Sequence, residues 1–181
     1  MTDPFVVHVA ALRRDLGATD HVSVEGPFDP NDELGPEFDW ASRIALEADM
    51  VIDVDLQSFS GGVSAKGSAT APWTGVCSRC AIAVGGSLVA PLDERFVPGG
   101  GTEVDEEAYP ITEDAIDLGE MGREALLVDL PLLPLCKPDC QGLCPTCGVD
   151  RNEETCSCQA PIDPRWGALE ALRIDEEPSG N

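Results

Sequence analysis

The chain has 181 residues, of which 43% are hydrophobic and 5% aromatic, and its 34 acidic residues outnumber 11 basic ones to give a net charge of −23. This length fits one domain, or one domain with a small module, and can bury a core. Proteins that bind duplex nucleic acid normally carry clustered Lys and Arg, so the charge argues against unaided nonspecific nucleic-acid binding and favours a basic partner. The sequence has neither an apolar run of about 18 residues nor a basic-then-apolar leader. We therefore expect a cytoplasmic protein that does not act on membranes.

The first 98 residues are predicted to form an antiparallel β domain. Apolar and polar residues alternate over 43–56 and again over 63–71, and a Ser-Gly-Gly turn at 60–62 separates the two runs, which predicts a hairpin. Further strand-like runs on either side of Cys77 and Cys80 place these cysteines in the turn of another hairpin. We expect an antiparallel sheet that curls toward a partial barrel.

The second half of the chain has a different composition. Three glycines and an acidic run over 99–117 are typical of a linker. Apolar residues at near-helical spacing over 118–130 predict a helix that packs on the sheet, and Asp163-Pro164 predicts the start of a short C-terminal helix. The predicted fold class is α+β. Its predicted parts are a β domain over 1–98, an acidic linker over 99–117, and a helix with a small zinc-knuckle module over 118–181.

Eight cysteines occur as four close pairs: Cys77 and Cys80, Cys136 and Cys140, Cys144 and Cys147, and Cys156 and Cys158. In a reducing compartment such pairs are typical of metal ligands, because a short spacer lets two thiolates reach one Zn²⁺ at about 2.3 Å. The most specific motif is CPTCG at 144–148, in which Gly148 can take a positive φ so that backbone amides turn toward the sulfurs. We predict structural zinc held by all eight cysteines.

Two divisions of these ligands are open. In the first, Cys144, Cys147, Cys156 and Cys158 form one Cys₄ site, and Cys77, Cys80, Cys136 and Cys140 form another that connects the sheet to the C-terminal module. In the second, Cys136 and Cys140 join Cys144 and Cys147, and the other four cysteines stay without metal. The first division gives two zinc ions per chain, and the second gives one.

Four thiolates leave no position on Zn²⁺ for water, so the sites are predicted to be structural and the protein is predicted not to be an enzyme. The alternatives are rubredoxin-like iron and a redox-active pair at Cys77 and Cys80. His8 and His21 have no motif around them, and we assign them no catalytic role.

Basic residues surround the cysteine pairs despite the acidity of the chain. They are candidates for contact with RNA or a protein partner: Arg79, Lys137, Arg151 and Arg165. The other interpretation is that Arg79 compensates a thiolate centre or pairs with one of the many acids.

Several motifs in this order resemble the YceD family of large ribosomal RNA subunit accumulation proteins, in the cysteine-rich form common among Gram-positive bacteria. They are CSRC at 77–80, DLPLLPLC at 129–136, the cysteine run at 140–148 and DPRW at 163–166. The resemblance covers nearly the whole chain and is specific in its latter half. The stretch at 149–152 departs from the Asn-Leu-Asn-like sequence of many relatives.

The resemblance implies a role in 23S ribosomal RNA accumulation or processing, and hence in assembly of the large ribosomal subunit. Genes of this family commonly lie beside that of a small, basic large-subunit protein. With the charge, this indicates a non-enzymatic factor that binds a basic ribosomal protein or a pre-ribosomal particle, with limited direct contact to ribosomal RNA. The alternative function is that of a thiol-redox or rubredoxin-like metal protein.

Overall fold

A computed structural model of the chain describes residues 3–28, 41–45, 48–99, 108–158 and 165. Within these residues lie eight strands, a single turn of 3₁₀ helix at Leu12–Arg14, and one α-helix. In chain order the strands and helix are β1 (Val6–His8), β2 (Thr19–Pro27), β3 (Ser42–Ile44), β4 (Asp49–Phe59), β5 (Gly62–Val76), β6 (Ala83–Pro98), β7 (Tyr109–Ile111), β8 (Ala115–Asp117) and α1 (Leu118–Val128).

The main sheet has the order β2-β4-β5-β6-β7, and β3 also pairs with β5. All of its pairs are antiparallel except β6 with β7, and β1 pairs with β8 in a separate two-stranded sheet. The main sheet is open, because β2 and β7 are its edges and do not pair with each other. The predicted α+β class with an antiparallel sheet is confirmed.

The longest hairpin carries two of the cysteines. β5 and β6 pair continuously from Val63 with Phe96 to Val76 with Ala83. The turn that follows contains Cys77 and Cys80, as the sequence predicts. The other predicted hairpin, β4 with β5, is also present and turns at residues 60–61.

The alternation over 43–56 is divided between two strands rather than forming one. Ile44 pairs with Trp73, and Val51 pairs with Thr70. The six residues 45–50 between these pairs therefore lie opposite only two residues of β5, 71 and 72. One of those two is Pro72, whose carbonyl accepts from the Ala45 N–H but which has no N–H to donate in return. The ladder is interrupted at this proline, although the alternation of buried residues continues on both sides of it.

One face of the main sheet forms the core and the other faces solvent. The buried face contributes fully covered side chains from β4, β5 and β6, and α1 packs on it with Leu118, Met121 and Leu126. The helix approaches closely at Gly122, where an added Cβ would lie 2.6 Å from the Ile52 Cδ1 atom. On the solvent face, charges alternate across four strands in the row His21, Asp55, Lys66 and Asp93. Opposite charges at paired positions stabilise that register.

The prediction of a linker over 99–117 does not hold at its end, where the structure has two short strands. β7 and β8 form a tight hairpin around Glu113 and Asp114, which both have positive φ, as a type I′ turn requires. The Asp114 carboxylate also forms a salt bridge of 2.7 Å with Arg13. Residues 100–107 of the predicted linker lie outside the described residues.

Helix α1 begins and ends close to the predicted bounds of 118–130. The Asp117 side chain accepts from the Gly119 N–H and caps the first turn. After the helix, the buried Ser42 hydroxyl of β3 donates to the Pro131 carbonyl and fixes the exit of the chain. Within the described residues, no helix is long and apolar enough to cross a membrane. The predicted C-terminal helix lies outside the described residues apart from Arg165.

Candidate metal centres

The eight cysteines form two groups of four, which we call site 1 and site 2. Site 1 is Cys77, Cys80, Cys136 and Cys140, and site 2 is Cys144, Cys147, Cys156 and Cys158. In each group the four sulfur atoms lie within 4.8 Å of one another. This grouping follows the first division predicted from the sequence and contradicts the second, because Cys136 and Cys140 lie with the hairpin cysteines and not with Cys144 and Cys147.

Site 1 joins two distant parts of the chain. Cys77 and Cys80 come from the turn between β5 and β6, whereas Cys136 and Cys140 follow the extended segment after α1. The turn is held by the Cys77 N–H, which donates to the Ile82 carbonyl over 2.8 Å. A second bond of 2.8 Å, from the Ser78 N–H to the Pro134 carbonyl, attaches the turn to the extended segment.

Site 2 is built from a single local segment. Its first two ligands come from the CPTCG turn, in which the Gly148 N–H donates to the Cys144 carbonyl over 2.8 Å and Gly148 has φ of 77°. An isolated β-bridge between Leu143 and Asp150 closes the base of this turn. The glycine thus occupies the conformation that the motif predicts.

The turn at Cys77 and Cys80 has the same positive φ and the same backbone hydrogen bond, but at an alanine instead of a glycine. Ala81 follows the second cysteine, has φ of 60°, and donates its N–H to the Cys77 carbonyl over 2.9 Å. Ala81 therefore holds the position that Gly148 holds in site 2. A residue with a Cβ in this left-handed conformation carries steric strain that glycine avoids.

Hydrogen bonds connect the two sites. The Leu143 N–H donates to the Arg79 carbonyl over 2.9 Å, and the Arg79 guanidinium donates to the Cys140 carbonyl over 2.9 Å. Asn152 contributes its Nδ2 to the Cys140 sulfur at 3.4 Å while its Oδ1 accepts from the Gln141 N–H. The sequence prediction did not include Asn152. Its only sequence signal is its place between the Cys144/Cys147 pair and the Cys156/Cys158 pair, in the stretch that departs from the relatives.

In each site the first cysteine of the turn has a lowered pKa. Burial opposes ionisation of Cys77, but the backbone N–H groups of Cys80, Arg79 and Cys136 lower its pKa to about 6. In site 2, the backbone N–H groups of Cys147 and Thr146 lower the pKa of Cys144 to about 6 against its burial. Amides aimed at a sulfur stabilise its thiolate, which is the form that binds a metal.

The last thiols to ionise are in the other half of each site. Burial, followed by hydrogen bonds shared with Cys140 and Cys80, raises the pKa of Cys136 to about 12. The hydrogen bond with Cys147, followed by burial, raises the pKa of Cys158 to about 12. Four crowded thiols cannot all be charged without a cation among them. A bound metal ion would supply that cation.

The geometry of the sulfurs fits a tetrahedral metal ion. Sulfurs bound at about 2.3 Å from one zinc ion lie about 3.8 Å apart. In site 1 the Cys77 and Cys140 sulfurs are 3.8 Å apart, and the Cys80 and Cys136 sulfurs are 3.6 Å apart. All eight cysteines are free thiols rather than disulfides. Each group of four can hold a metal ion, and four thiolates fill a tetrahedral coordination shell.

The two sites differ in burial. Cys77, Cys80 and Cys140 of site 1 are buried and Cys136 is half-buried, with Val84 packed against the group. In site 2 only Cys144 is buried, whereas Cys147 and Cys158 are exposed. Solvent and reagents therefore reach the sulfurs of site 2 much more readily than those of site 1.

The four basic candidates differ in their surroundings. Arg79 is exposed but bound to the Cys140 carbonyl, so it supports site 1 through a backbone group rather than through an acid. Lys137 lies between the last two ligands of site 1, and Arg151 lies between the two halves of site 2. Both are exposed, as is Arg165, which forms an interaction of its own.

Comparison with known proteins places these features in a wider group. A family model described as large ribosomal RNA subunit accumulation protein YceD matches residues 65–173. Uncharacterized proteins of Mycobacterium tuberculosis and Mycobacterium bovis are each 34% identical over 177 residues, which cover 93% of this chain and 81% of theirs. A chloroplastic YCED homolog of Zea mays, also described as a large ribosomal RNA subunit accumulation protein, is 29% identical over 79 residues, 41% of this chain and 25% of its own. No solved structure matches the chain.

Proposed function

Because the chain belongs to the YceD family of large ribosomal RNA subunit accumulation proteins, we propose that it is a non-enzymatic factor for large-subunit assembly in the cytoplasm that binds a basic ribosomal protein. The observation that carries this proposal is the family match over 65–173. That range includes the β5–β6 hairpin, α1 and the ligands of both cysteine sites. The family description names large ribosomal RNA as the species whose accumulation depends on the protein.

The charge of the chain supports a protein partner rather than RNA as the first contact. A net charge of −23 repels phosphates, whereas it attracts ribosomal proteins rich in Lys and Arg and raises their rate of association. The solvent face of the sheet carries Asp53, Asp55 and Asp93, and its Lys66 is paired with Asp93 at 2.7 Å. An acidic factor of this kind would keep a basic ribosomal protein soluble until ribosomal RNA displaces it.

The cysteine sites support a structural role for the metal. We assign Zn²⁺ to both, held by Cys77, Cys80, Cys136 and Cys140 in site 1 and by Cys144, Cys147, Cys156 and Cys158 in site 2. Zn²⁺ suits four thiolates in tetrahedral geometry, and such a shell leaves no position at which substrate could bind the ion. The metal would fix the hairpin turn and the C-terminal segment as one rigid surface.

A binding experiment with separated components tests the partner. The tagged protein is incubated with purified large-subunit proteins, and separately with 23S ribosomal RNA, at 50 and 150 mM salt. We expect one or a few basic ribosomal proteins to be retained at both concentrations, and an acidic protein of similar charge and unrelated fold serves as the control. Retention of no ribosomal protein, or of the same set by the control, would overturn the proposal. Retention of RNA alone would replace the protein partner with RNA.

A second measurement tests the role in the cell. Depletion of the protein is expected to lower the ratio of 23S to 16S ribosomal RNA and to reduce the large-subunit peak in a sucrose gradient. An unchanged ratio, with normal ribosomal profiles, would contradict the assembly role. Metal analysis together with thiol titration separates this function from the redox alternative, because thiols that hold zinc resist alkylation until the metal is removed.

A further inference from the structure

A groove runs between α1 and the strands β6 and β7. It has a volume of about 280 Å³ and is open to solvent. Its lining has an apolar part, which we call the floor, and an acidic part, which we call the rim. The apolar part comes from Pro91, Met121, Ala125 and Val128.

The apolar part of the groove includes a largely exposed side chain at the end of α1. Val128 is 82% exposed, although most apolar residues of α1 are buried or half-buried. Leu132 and Leu133, three and four residues beyond the groove residue Asp129, are 66% and 76% exposed. Exposed large apolar side chains beside acidic groups are a feature of interaction surfaces.

The acidic part of the groove lining lies mainly at the C-terminal end of α1. Glu124 and Asp129 line the groove from α1, and Glu94 lines it from β6. Asp129 is the C-terminal cap, where the helix dipole is negative, and the last turn contains no basic residue. A cation at this position would be stabilised by the dipole and by the carboxylates together. The charge at the end of α1 is therefore arranged for a positive group from outside the helix.

Tyr109 of β7 also lines the groove and lies beside its acidic residues. Its hydroxyl donates to the Glu124 carboxylate. Burial raises the pKa of Tyr109, and the charges of Glu124, Glu94 and Glu120 raise it further. The tyrosine stays neutral and holds Glu124 at the rim, so the carboxylate keeps its place beside the apolar floor.

We propose that this groove binds a Lys- or Arg-containing segment of the basic partner, with an apolar side chain on Val128 and a cation at Asp129 and Glu124. Charge complementarity selects the occupant. An acidic rim repels RNA and acidic peptides, and an apolar floor gives no advantage to a peptide with charge alone. This inference rests on the proposed function and identifies where the ribosomal protein makes its specific contact.

The test uses the full chain and two fluorescein-labelled peptides of twelve residues. One alternates Lys or Arg with Leu, and the other has Ser in place of each Leu. We expect the first to bind the protein at least about tenfold more tightly than the second at 150 mM salt. Equal affinities would show that only charge is recognised, and would overturn the proposal.

Matched variants locate the binding surface. Val128→Lys places a positive charge in the groove, and Val89→Lys makes the same change on the solvent face of β6, where Val89 is 59% exposed. We expect Val128→Lys to weaken binding of the Leu-containing peptide about tenfold and Val89→Lys to change it less than about twofold. Equal losses in the two variants would place the binding elsewhere. Circular dichroism spectra confirm that both variants are folded.

A second pair of variants tests the rim. Glu124→Gln keeps an acceptor for the Tyr109 hydroxyl while removing the charge, and Glu25→Gln is its control on the exposed edge strand β2. We expect Glu124→Gln to weaken binding several-fold and to lower its salt dependence, with little effect from Glu25→Gln. If the wild type retains a ribosomal protein and Val128→Lys retains it equally, the groove is wrong while the proposed function stands. If the wild type retains none, the proposed function fails first.

Discussion

Each of the two cysteine sites is formed by four cysteines, but the sites differ in how they are connected to the rest of the chain. In site 1, the paired sulfurs of Cys80 and Cys136 are 56 residues apart in sequence, and they lie at the turn of the longest hairpin, where Val84 packs against the group. Site 2 gathers its four ligands from 144–158 and leaves two of them exposed. The difference shows that similar metal-binding chemistry can serve either to join distant elements or to shape one local segment. Site 1 should therefore control the stability of the fold, and site 2 should not.

The largest expected effect comes from removing one ligand of each site. Cys77→Ser breaks site 1, and we expect the free energy of unfolding to fall by about 3–5 kcal/mol, since metal-binding energy is folding energy when the ligands are distant. Cys147→Ser, the matched change in site 2, should cost less than about 1 kcal/mol for unfolding of the sheet. Urea denaturation followed by circular dichroism measures both values.

Metal content is determined on the same two variants. Each should lose about one of two metal ions per chain. If the two variants lose stability equally, or if Cys77→Ser retains the full metal content, the contrast between the sites is wrong.

Accessibility should separate the sites during metal removal. Because Cys147 and Cys158 are exposed, a chelator is expected to remove the metal of site 2 first, so that native mass spectrometry shows a species with one ion as an intermediate. In the partly stripped protein, iodoacetamide should label Cys147 at least about tenfold faster than Cys77. Simultaneous loss of both ions would contradict the predicted order.

Asn152 should affect site 1 although it lies within the segment of site 2. Asn152→Ala removes the N–H donor to the Cys140 sulfur and the acceptor for Gln141. We expect a loss of about 1–2 kcal/mol in stability and a 10- to 100-fold weaker metal affinity at site 1. Competition with a coloured chelator measures the affinity. Asn152→Asp keeps the acceptor and loses the donor, so a wild-type affinity in this variant would show that the bond to sulfur is unimportant.

The smallest expected effect compares the residues that follow the second cysteine of each turn. Ala81→Gly relieves a left-handed alanine and should stabilise the protein by about 0.5–1 kcal/mol, whereas Gly148→Ala should be destabilising by a similar amount or more. Thermal unfolding of Ala81→Gly gives the first value. Because site 2 is local, metal retention during chelation is the better measurement for Gly148→Ala. A lower melting temperature for Ala81→Gly would show that the left-handed alanine is not strained.

Sequence reasoning succeeded where a local pattern carries the information. Alternation marked the β4–β5 and β5–β6 hairpins, and the spacing of the cysteine pairs identified the ligands that the structure brings together. The pairing of Cys77 and Cys80 with Cys136 and Cys140 followed only from division of eight cysteines into two equal sets. The spacing of the residues alone also allowed the second division, which the geometry contradicts.

The features that the sequence did not reveal depend on contacts between distant residues. β7 and β8 have three residues each and exist because β6 and β1 provide partners for them. Their turn uses Glu113 and Asp114 instead of the Asn and Gly that predict a type I′ hairpin. The pairing of the 43–56 run with β5 is interrupted at Pro72, although the alternation of that run gives no sign of an interruption. Asn152 likewise acts on a sulfur twelve residues away.

The long separation between the halves of site 1 also has a consequence for synthesis of the chain on the ribosome. Cys77 and Cys80 leave the exit tunnel well before Cys140, and the β5–β6 hairpin that carries them can pair during that interval. Site 1 can be completed only after α1 has emerged, and site 2 only after Cys158 follows. Metal would thus bind site 1 after the sheet has formed and would attach the C-terminal segment to it. A shortage of metal during translation would leave a chain with a paired hairpin and an unattached C-terminal segment.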